Sequence, residues 1–344
     1  MADGVEARVR DAIEPRRAAV NEALEESLAV RPPERLYEAA RHLFVAGGKR
    51  LRPAIVLLAA EAVADVDPGE QSYEAFPDAD GEPIDVMTGA LAVEVVHLFT
   101  LIHDDIMDDD DLRRGVPAVH REYDLETAIL AGDTLFSTAF EILLESGAPA
   151  PRTVRAVRRL SRACTEVCEG QAFDVGFERR SDVGVEEYHE MIRQKTAVLF
   201  GAAASIPAVL LGADRAAVDA LEEYGLKVGQ AFQIQDDVLD LTVPSDELGK
   251  RRGSDLVEGK RTLITVHARG QGVDVEGLLP DGEVTDEEID DAVATLEDAG
   301  SIEYARRTAH ELADEGVAAL QALPENASRD VLEDVGIYLV ERGY

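Results

Sequence analysis

The chain has 344 residues, 46% of them hydrophobic, which is enough apolar material for a sizeable core and too much for a disordered chain. Its 70 acidic residues against 34 basic ones leave a net charge of −36, which argues against a nucleic-acid binder, because phosphate contacts need a basic face. No calcium loop of the EF-hand kind occurs, so the acidity reads as a solvated surface suited to a salt-rich cytoplasm.

The N-terminal stretch MADGVEARVRDAIEPRR is polar and has no apolar leader. No run of about 18 apolar residues follows anywhere, so a cytosolic protein without a membrane-spanning segment is expected. Helical periodicity then dominates. Residues 35–45 read as a helix stopped by Gly47-Gly48, and Pro53 opens another. Residues 65–83 read as a polar loop, and 85–109 as one long helix, apolar through its middle. RRGVPA breaks it. Further helices are expected over 125–145, 152–179, 185–211, 214–242, 285–299 and 301–322, with a second polar loop over 270–283. Cys164 and Cys168 stand one helical turn apart and read as two small buried apolar residues. The small residues around Gly201–Ala204 read as tight helix packing. No linker separates two compositions. The expectation is all-α: one domain over 1–344, a single large bundle of about ten or more helices with a central cavity.

Two segments carry the chemistry. HDDIMDDDDLRRG (103–115) and QDDVLDL (235–241) each contain Asp-Asp-x-x-Asp in an apolar helical setting. Spacing of four puts Asp104 with Asp108, and Asp236 with Asp240, on common helix faces. Like charges in apolar surroundings need a cation. Mg²⁺ suits them: it takes carboxylate oxygens, keeps waters and completes its octahedron with phosphate. Two such helices facing each other could clamp a diphosphate. In so acidic a chain the basic clusters are informative as well. GGKRLRP (47–53), Arg113-Arg114, Lys250-Arg251-Arg252 and Lys260-Arg261 flank the acidic segments and could hold anions directly. His97 lies seven residues before Asp104, near the same helix face, and reads as a ligand contact.

These segments, with AGDTLFSTAFEIL (131–143), EGQAFDVGFE (169–178), IRQKTAVLF (192–200) and GKRRGSDLVEGKRTL (249–263), occur in order and resemble the trans-isoprenyl diphosphate synthases. The resemblance implies a homodimeric, Mg²⁺-dependent prenyltransferase with three ions per site. It would join isopentenyl diphosphate to an allylic diphosphate. Lys49, Arg52, His97 and Arg114 resemble the isopentenyl diphosphate contacts. Arg113, Lys195, Thr196, Gln233, Lys250 and Lys260 resemble the allylic contacts. Asp104, Asp108 and Asp236 resemble the metal ligands, with Asp174, Asp237 and Asp240 in support through metal or water. Arg251 stands where the family often has proline.

Phe99 and Thr100 precede the first aspartates at the positions that limit product length in the family. An aromatic at the first of these, without an insertion between Asp105 and Asp108, resembles the archaeal geranylgeranyl diphosphate synthases, and the acidity agrees with a salt-loving archaeal source. A C20 product is expected, with C15 and C25 as alternatives. On an ideal helix Thr100 lies beneath Asp104 while Phe99 points about 140° away, so a floor at Phe99 requires a kink or an oblique tunnel. A class I terpene cyclase would usually lack the second aspartate motif and GGKRLRP. A non-catalytic partner subunit would tend to have lost aspartates.

Overall fold

The computed structural model describes residues 2–66, 72–78, 81–180, 182–244, 251–280, 282 and 284–341. The helices are α1 (Ala2–Ser27), α2 (Glu34–Val45), α3 (Leu51–Ala64), α4 (Met87–Met107), α5 (Val119–Glu122), α6 (Leu125–Leu144) and α7 (Ala150–Phe177). After them come α8 (Val185–Ile192), a π segment (Arg193–Ala197), α9 (Val198–Leu211), α10 (Arg215–Thr242), α11 (Ser254–Val257) and α12 (Leu263–Gly270). The chain closes with α13 (Asp286–Asp298), α14 (Ser301–Ala319), a 3₁₀ turn (Leu320–Ala322) and α15 (Ala327–Glu341). The fold is all-α, with extended structure among the described residues limited to two short antiparallel pairings: Phe76–Pro77 with Pro83–Ile84, and Leu112–Arg113 with Val116–Pro117.

Burial ranks the helices. α9 is buried along its whole length, and α3 from Pro53 to Ala62. Helices apolar on every side belong at the centre. α4 is buried on all sides from Met87 to Val96, and beyond that only Leu98, Ile102 and Asp105 stay buried. Around this centre α9 packs on α3, α7 and α10, α4 on α6, and α10 on α14. The α9–α10 contact is close because of glycine: a Cβ at Gly225 would lie 2.3 Å from the Phe200 carbonyl oxygen. The small residues at Gly201–Ala204 lie in this packing, as their composition predicts. Caps fix several starts. Asp124, Asp214 and Thr262 accept from the backbone N–H three residues on, and Thr285 forms a capping box with Glu288.

Three elements differ from the expectation. Pro53 is the third residue of α3, not its first. The polar N-terminus forms the long helix α1, and the C-terminus forms α15. Buried Glu61 of α3 ties both: Arg16 of α1 donates to Glu61 Oε2 at 2.5 Å, Ser328 of α15 donates to the same oxygen at 2.8 Å, and Tyr73 donates to Oε1 at 2.6 Å. Cys164 is buried but Cys168 is exposed, being rotated off the buried stripe of α7. Leu125–Leu144 and Val185–Leu211 are long and apolar enough to cross a membrane, but 94% of the latter's apolar window is buried in the protein.

Candidate active site

Four non-glycine residues among those described have positive φ, and three lie in the motifs read above: Arg50 (+50°), Asp109 (+56°) and Arg114 (+54°). Such backbone costs on the order of 1–2 kcal/mol per residue, and polar contacts hold all three, Asp109 by Arg121, which donates to its O and Oδ1. Arg50 does not face a substrate: its guanidinium is buried, pairing with Glu94 of α4 at 2.7 Å and donating to Asn21 Oδ1 (2.9 Å) and Phe44 O (3.0 Å). Arg114 donates to Leu43 O at 3.2 Å and to Gly47 O. The two basic motifs are thereby fastened together.

They enclose a cavity of about 440 Å³ that includes Lys49, Arg52, His97, Arg114 and Phe232. Glu94 is its acidic residue, spent on Arg50, so the cavity is basic in a chain of net charge −36. Arg52 lies 4.4 Å above the Phe200 ring, and its Nη1 is 3.3 Å from His97 Nε2. Burial lowers the Arg52 guanidinium to about 10, against support from Glu94 and Asp236. Its Nε is buried and has no hydrogen-bond partner. Burial, reinforced by Arg52, Arg114, Arg50 and Arg113, keeps the His97 imidazole well below its ordinary range and therefore neutral.

A second cavity, of about 100 Å³, is of mixed charge: Asp174, Asp237 and Asp255 line it with Lys195, Lys260 and Arg261, beside Gln233. Lys195 donates to Asp174 Oδ2 at 2.5 Å. Burial opposes the lysine's charge, but Asp174, Asp104 and Asp108 outweigh it and hold the ammonium above its usual range. Lys260 Nζ lies 2.9 Å from Glu258 and 4.0 Å from Asp108, bringing the end of α4 to the segment after the second motif. Burial pushes the Asp104 carboxyl up to about 6; Lys195 and Arg113 pull it down, and Asp108 and Asp174 push it further up. Arg113 is tied to Asp105 (2.5 Å) and Asp110 (2.7 Å).

Thr196 Oγ1 donates to Gln233 Oε1 at 2.9 Å, Gln233 Nε2 donates to Asp237 Oδ1 at 2.9 Å, and Tyr188 donates to Asp237 Oδ2 at 2.7 Å. Two oxygens, Thr196 Oγ1 and Gln233 Oε1, are thus fixed beside Lys195. The consecutive residues Phe232 and Gln233 of α10 line the basic and the mixed-charge cavity respectively.

Asp236 is half-buried and is felt by Arg52 and Asp237. Asp240 is buried, its oxygens accepting from Ser254 Oγ (2.8 Å) and Asp255 N (3.2 Å). It anchors α11 by these bonds. Lys250 lies outside the described residues. Phe99 leans away from the aspartates toward α6, 4.8 Å from the His103 ring and 5.2 Å from Phe136, which in turn lies 5.2 Å from Phe140. The aromatic cluster therefore sits between α4 and α6. Thr100 Oγ1 donates back to His97 O at 2.8 Å.

Sequence reading missed Glu94, Tyr188 and Asp255. Glu94 had a signal: a lone acid in the apolar run LAVEVVHLF. Tyr188 and Asp255 had none, because their partners are distant in sequence.

Among the described residues no three carboxylate, thiolate or imidazole groups already converge on one metal position. Mg²⁺ does not need that, since it binds through one or two carboxylates and takes its remaining oxygens from water and phosphate. Asp104, Asp108 and Asp174 share the ammonium of Lys195, and burial has already raised Asp104. These residues fit a divalent cation.

Comparison with known proteins agrees with this geometry. Residues 33–296 match the polyprenyl synthetase family. The chain is 64% identical over 336 residues to geranylfarnesyl diphosphate synthase of Natronomonas pharaonis, covering 98% of each chain. It is 46% identical to geranylgeranyl diphosphate synthase of Methanosarcina mazei, covering 97% of this chain and 98% of that one. The solved geranylgeranyl pyrophosphate synthetase from Geoglobus acetivorans superposes with a TM-score of 0.86 at 46% identity, over 96% of this chain and 99% of that one. With a family match over most of its length and relatives well above 30% identity, the chain belongs to the polyprenyl synthetase family and is a prenyltransferase.

Proposed function

We propose that the protein condenses isopentenyl diphosphate with allylic diphosphates to a short-chain product of 20 or 25 carbons. The observation that carries this reading is the pair of cavities on either side of Phe232–Gln233, one basic, the other lined by three aspartates and three cations. The allylic diphosphate belongs to the side with the aspartates. Mg²⁺ held by Asp104, Asp108 and Asp236, with Asp174 in support, would supply charge neutralisation to the leaving diphosphate. Lys195, Lys260 and Arg113 add cations there, with Lys250 as a further expected contact. As the carbon–oxygen bond breaks, Thr196 Oγ1, Gln233 Oε1 and the Lys195 carbonyl face the allylic cation. Asp237 and Tyr188 hold Gln233 in that orientation. Isopentenyl diphosphate belongs to the basic side, on Lys49, Arg52, Arg114 and neutral His97, and its double bond attacks the cation. The departing diphosphate takes the proton.

The aromatic at Phe99, before the first aspartates and packed on Phe136, supports geranylgeranyl diphosphate as the product. The 64% identity to a geranylfarnesyl diphosphate synthase supports the second reading, C25. A homodimer is supported by the outer face of α6, where Leu125, Leu130 and Leu144 are 49%, 56% and 58% exposed. We further propose a cytosolic enzyme adapted to high salt. Incubation with Mg²⁺, labelled isopentenyl diphosphate and an allylic primer at high salt, followed by product sizing, tests the reaction and separates C20 from C25. Asp104→Ala and Asp236→Ala are expected to cut turnover by orders of magnitude with unchanged circular dichroism; near wild-type rates in either would refute the metal assignment. Phe99→Ala is expected to lengthen the product.

A further inference from the structure

Residues 146–165 contain five arginines and no acid, in a chain that carries 70 acidic residues. On α7, Arg155, Arg158, Arg159 and Arg162 fall on neighbouring turns of one side. They rim a cavity of about 480 Å³ whose lining includes none of the substrate or metal residues assigned above, and Arg193 of the π segment joins them. The floor is apolar: Ala163, Val198, Gly201, Ala202 and Leu226.

Two carboxylates also line it, and both are spent. Arg159 pairs with Glu222 at 2.6 Å, while Arg162 and Arg193 hold Glu166 at 2.7 and 3.0 Å. Arg155 and Arg158 are exposed and have no hydrogen-bond or ion partner among the described residues. Five guanidinium groups against Glu222, Glu166 and Glu190, the last also paired with Arg193, leave an excess of two positive charges over an apolar floor. That combination suits an amphiphile with a phosphate head and a hydrocarbon tail.

The cavity is also joined to the catalytic lysine. Arg193 lines it, and Lys195, two residues on in the same π segment, holds Asp174. α7 presses on this segment at Gly170, where a Cβ would lie 2.2 Å from Lys195 N. An anion that draws Arg193 from Glu166 and Glu190 therefore acts on the backbone carrying Lys195. Single-turn π bulges recur at functional sites.

We infer that this cavity is an inhibitory site for a prenyl diphosphate, the product class of the reaction proposed above and an inference that rests on that reading. The ligand head lies on Arg155 and Arg158 and draws Arg193 to it, its tail lies on the apolar floor, and occupancy slows turnover by displacing Lys195. The test compares wild type with Arg155→Glu/Arg158→Glu at constant ionic strength, using geranylgeranyl diphosphate without isopentenyl diphosphate in equilibrium dialysis. Wild type is expected to bind one more molecule per chain, with affinity for that molecule weakened at least about tenfold in the variant. In initial-rate assays the variant should keep the basal kcat and KM but lose the inhibition by added geranylgeranyl diphosphate that does not compete with the allylic substrate. Equal stoichiometry and equal inhibition in both proteins would overturn the inference. So would inorganic diphosphate filling the extra site as tightly as the prenylated ligand, or binding of wild type to phosphatidylglycerol vesicles with no extra molecule bound in solution. Absence of prenyl transfer by wild type would sink the proposed reaction while leaving the dialysis result readable.

Discussion

Asp104 shows how a single carboxyl can be built for a cation at some expense to the fold. Its pKa is about 6 against an ordinary 3.8, chiefly through burial. Between these values the folded state binds more protons than the unfolded chain, so stability falls as pH rises through the window and the ionised form at pH 7 is the less stable one. Asp104→Asn is therefore expected to raise Tm at pH 7 without metal while abolishing turnover; a lowered Tm would contradict the placement. In the wild type, apparent Mg²⁺ affinity should drop as pH falls through about 6, because protons then compete for the carboxylate, and titration calorimetry in two buffers should detect proton release on binding. Arg50 and Glu94 are a buried pair of the opposite kind, supporting the site without facing a substrate. Glu94→Leu leaves a buried guanidinium unpaired and is expected to cost about 3–5 kcal/mol by urea unfolding. The residue types of the site were legible because aspartates and cations are conspicuous in apolar runs. Their directions were less so. Lys49, Arg50 and Arg52 look alike in sequence, yet Arg50 turns inward, because its left-handed backbone and the acid on α4 are tertiary facts.

At the scale of the element, helix spans follow from periodicity and turn residues, and α2, α4, α6, α7 and α10 fall within a few residues of the expected ranges. The π segment was hidden inside one expected helix at 185–211, since an extra residue in a turn leaves no mark on composition. α1 and α15 were missed for a related reason. Their overall polarity is that of surface helices, although Val9, Val20 and Leu24 of α1 and Leu332, Val335 and Leu339 of α15 are buried, and Arg16 and Ser328 bind Glu61. The α9–α10 contact gives a direct test. Gly225→Ala drives a methyl into the Phe200 carbonyl and should cost about 1–3 kcal/mol, with a lower urea midpoint and loss of activity, since α10 carries Gln233 and Asp236. An unchanged midpoint would mean the helices are spaced more widely.

For the whole molecule the dominant quantity is charge. A net −36 repels itself, and the repulsion is screened over about 10 Å at 0.1 M salt but only about 3 Å at 1 M. Tm should therefore climb between these KCl concentrations and fall steeply in dilute buffer; a flat profile would remove the case for a salt-adapted surface. Charge and composition made the surface legible from sequence. The assembly of helices into two cavities was not legible from residues alone, since Lys195, Asp174 and Asp104 meet only when α4, α7 and the π segment are packed.

One consequence concerns α4, which bears both His97 and Asp104. The rise between them is about 10.5 Å along one rigid rod, so in the proposed reaction the two reactants would be held apart by a built-in ruler rather than by a hinge or a loop. Adding a single alanine between these residues would swing the aspartates by about 100° and lift them by 1.5 Å. Each reactant could then still find its own anchors, but the two would no longer be aimed at one another.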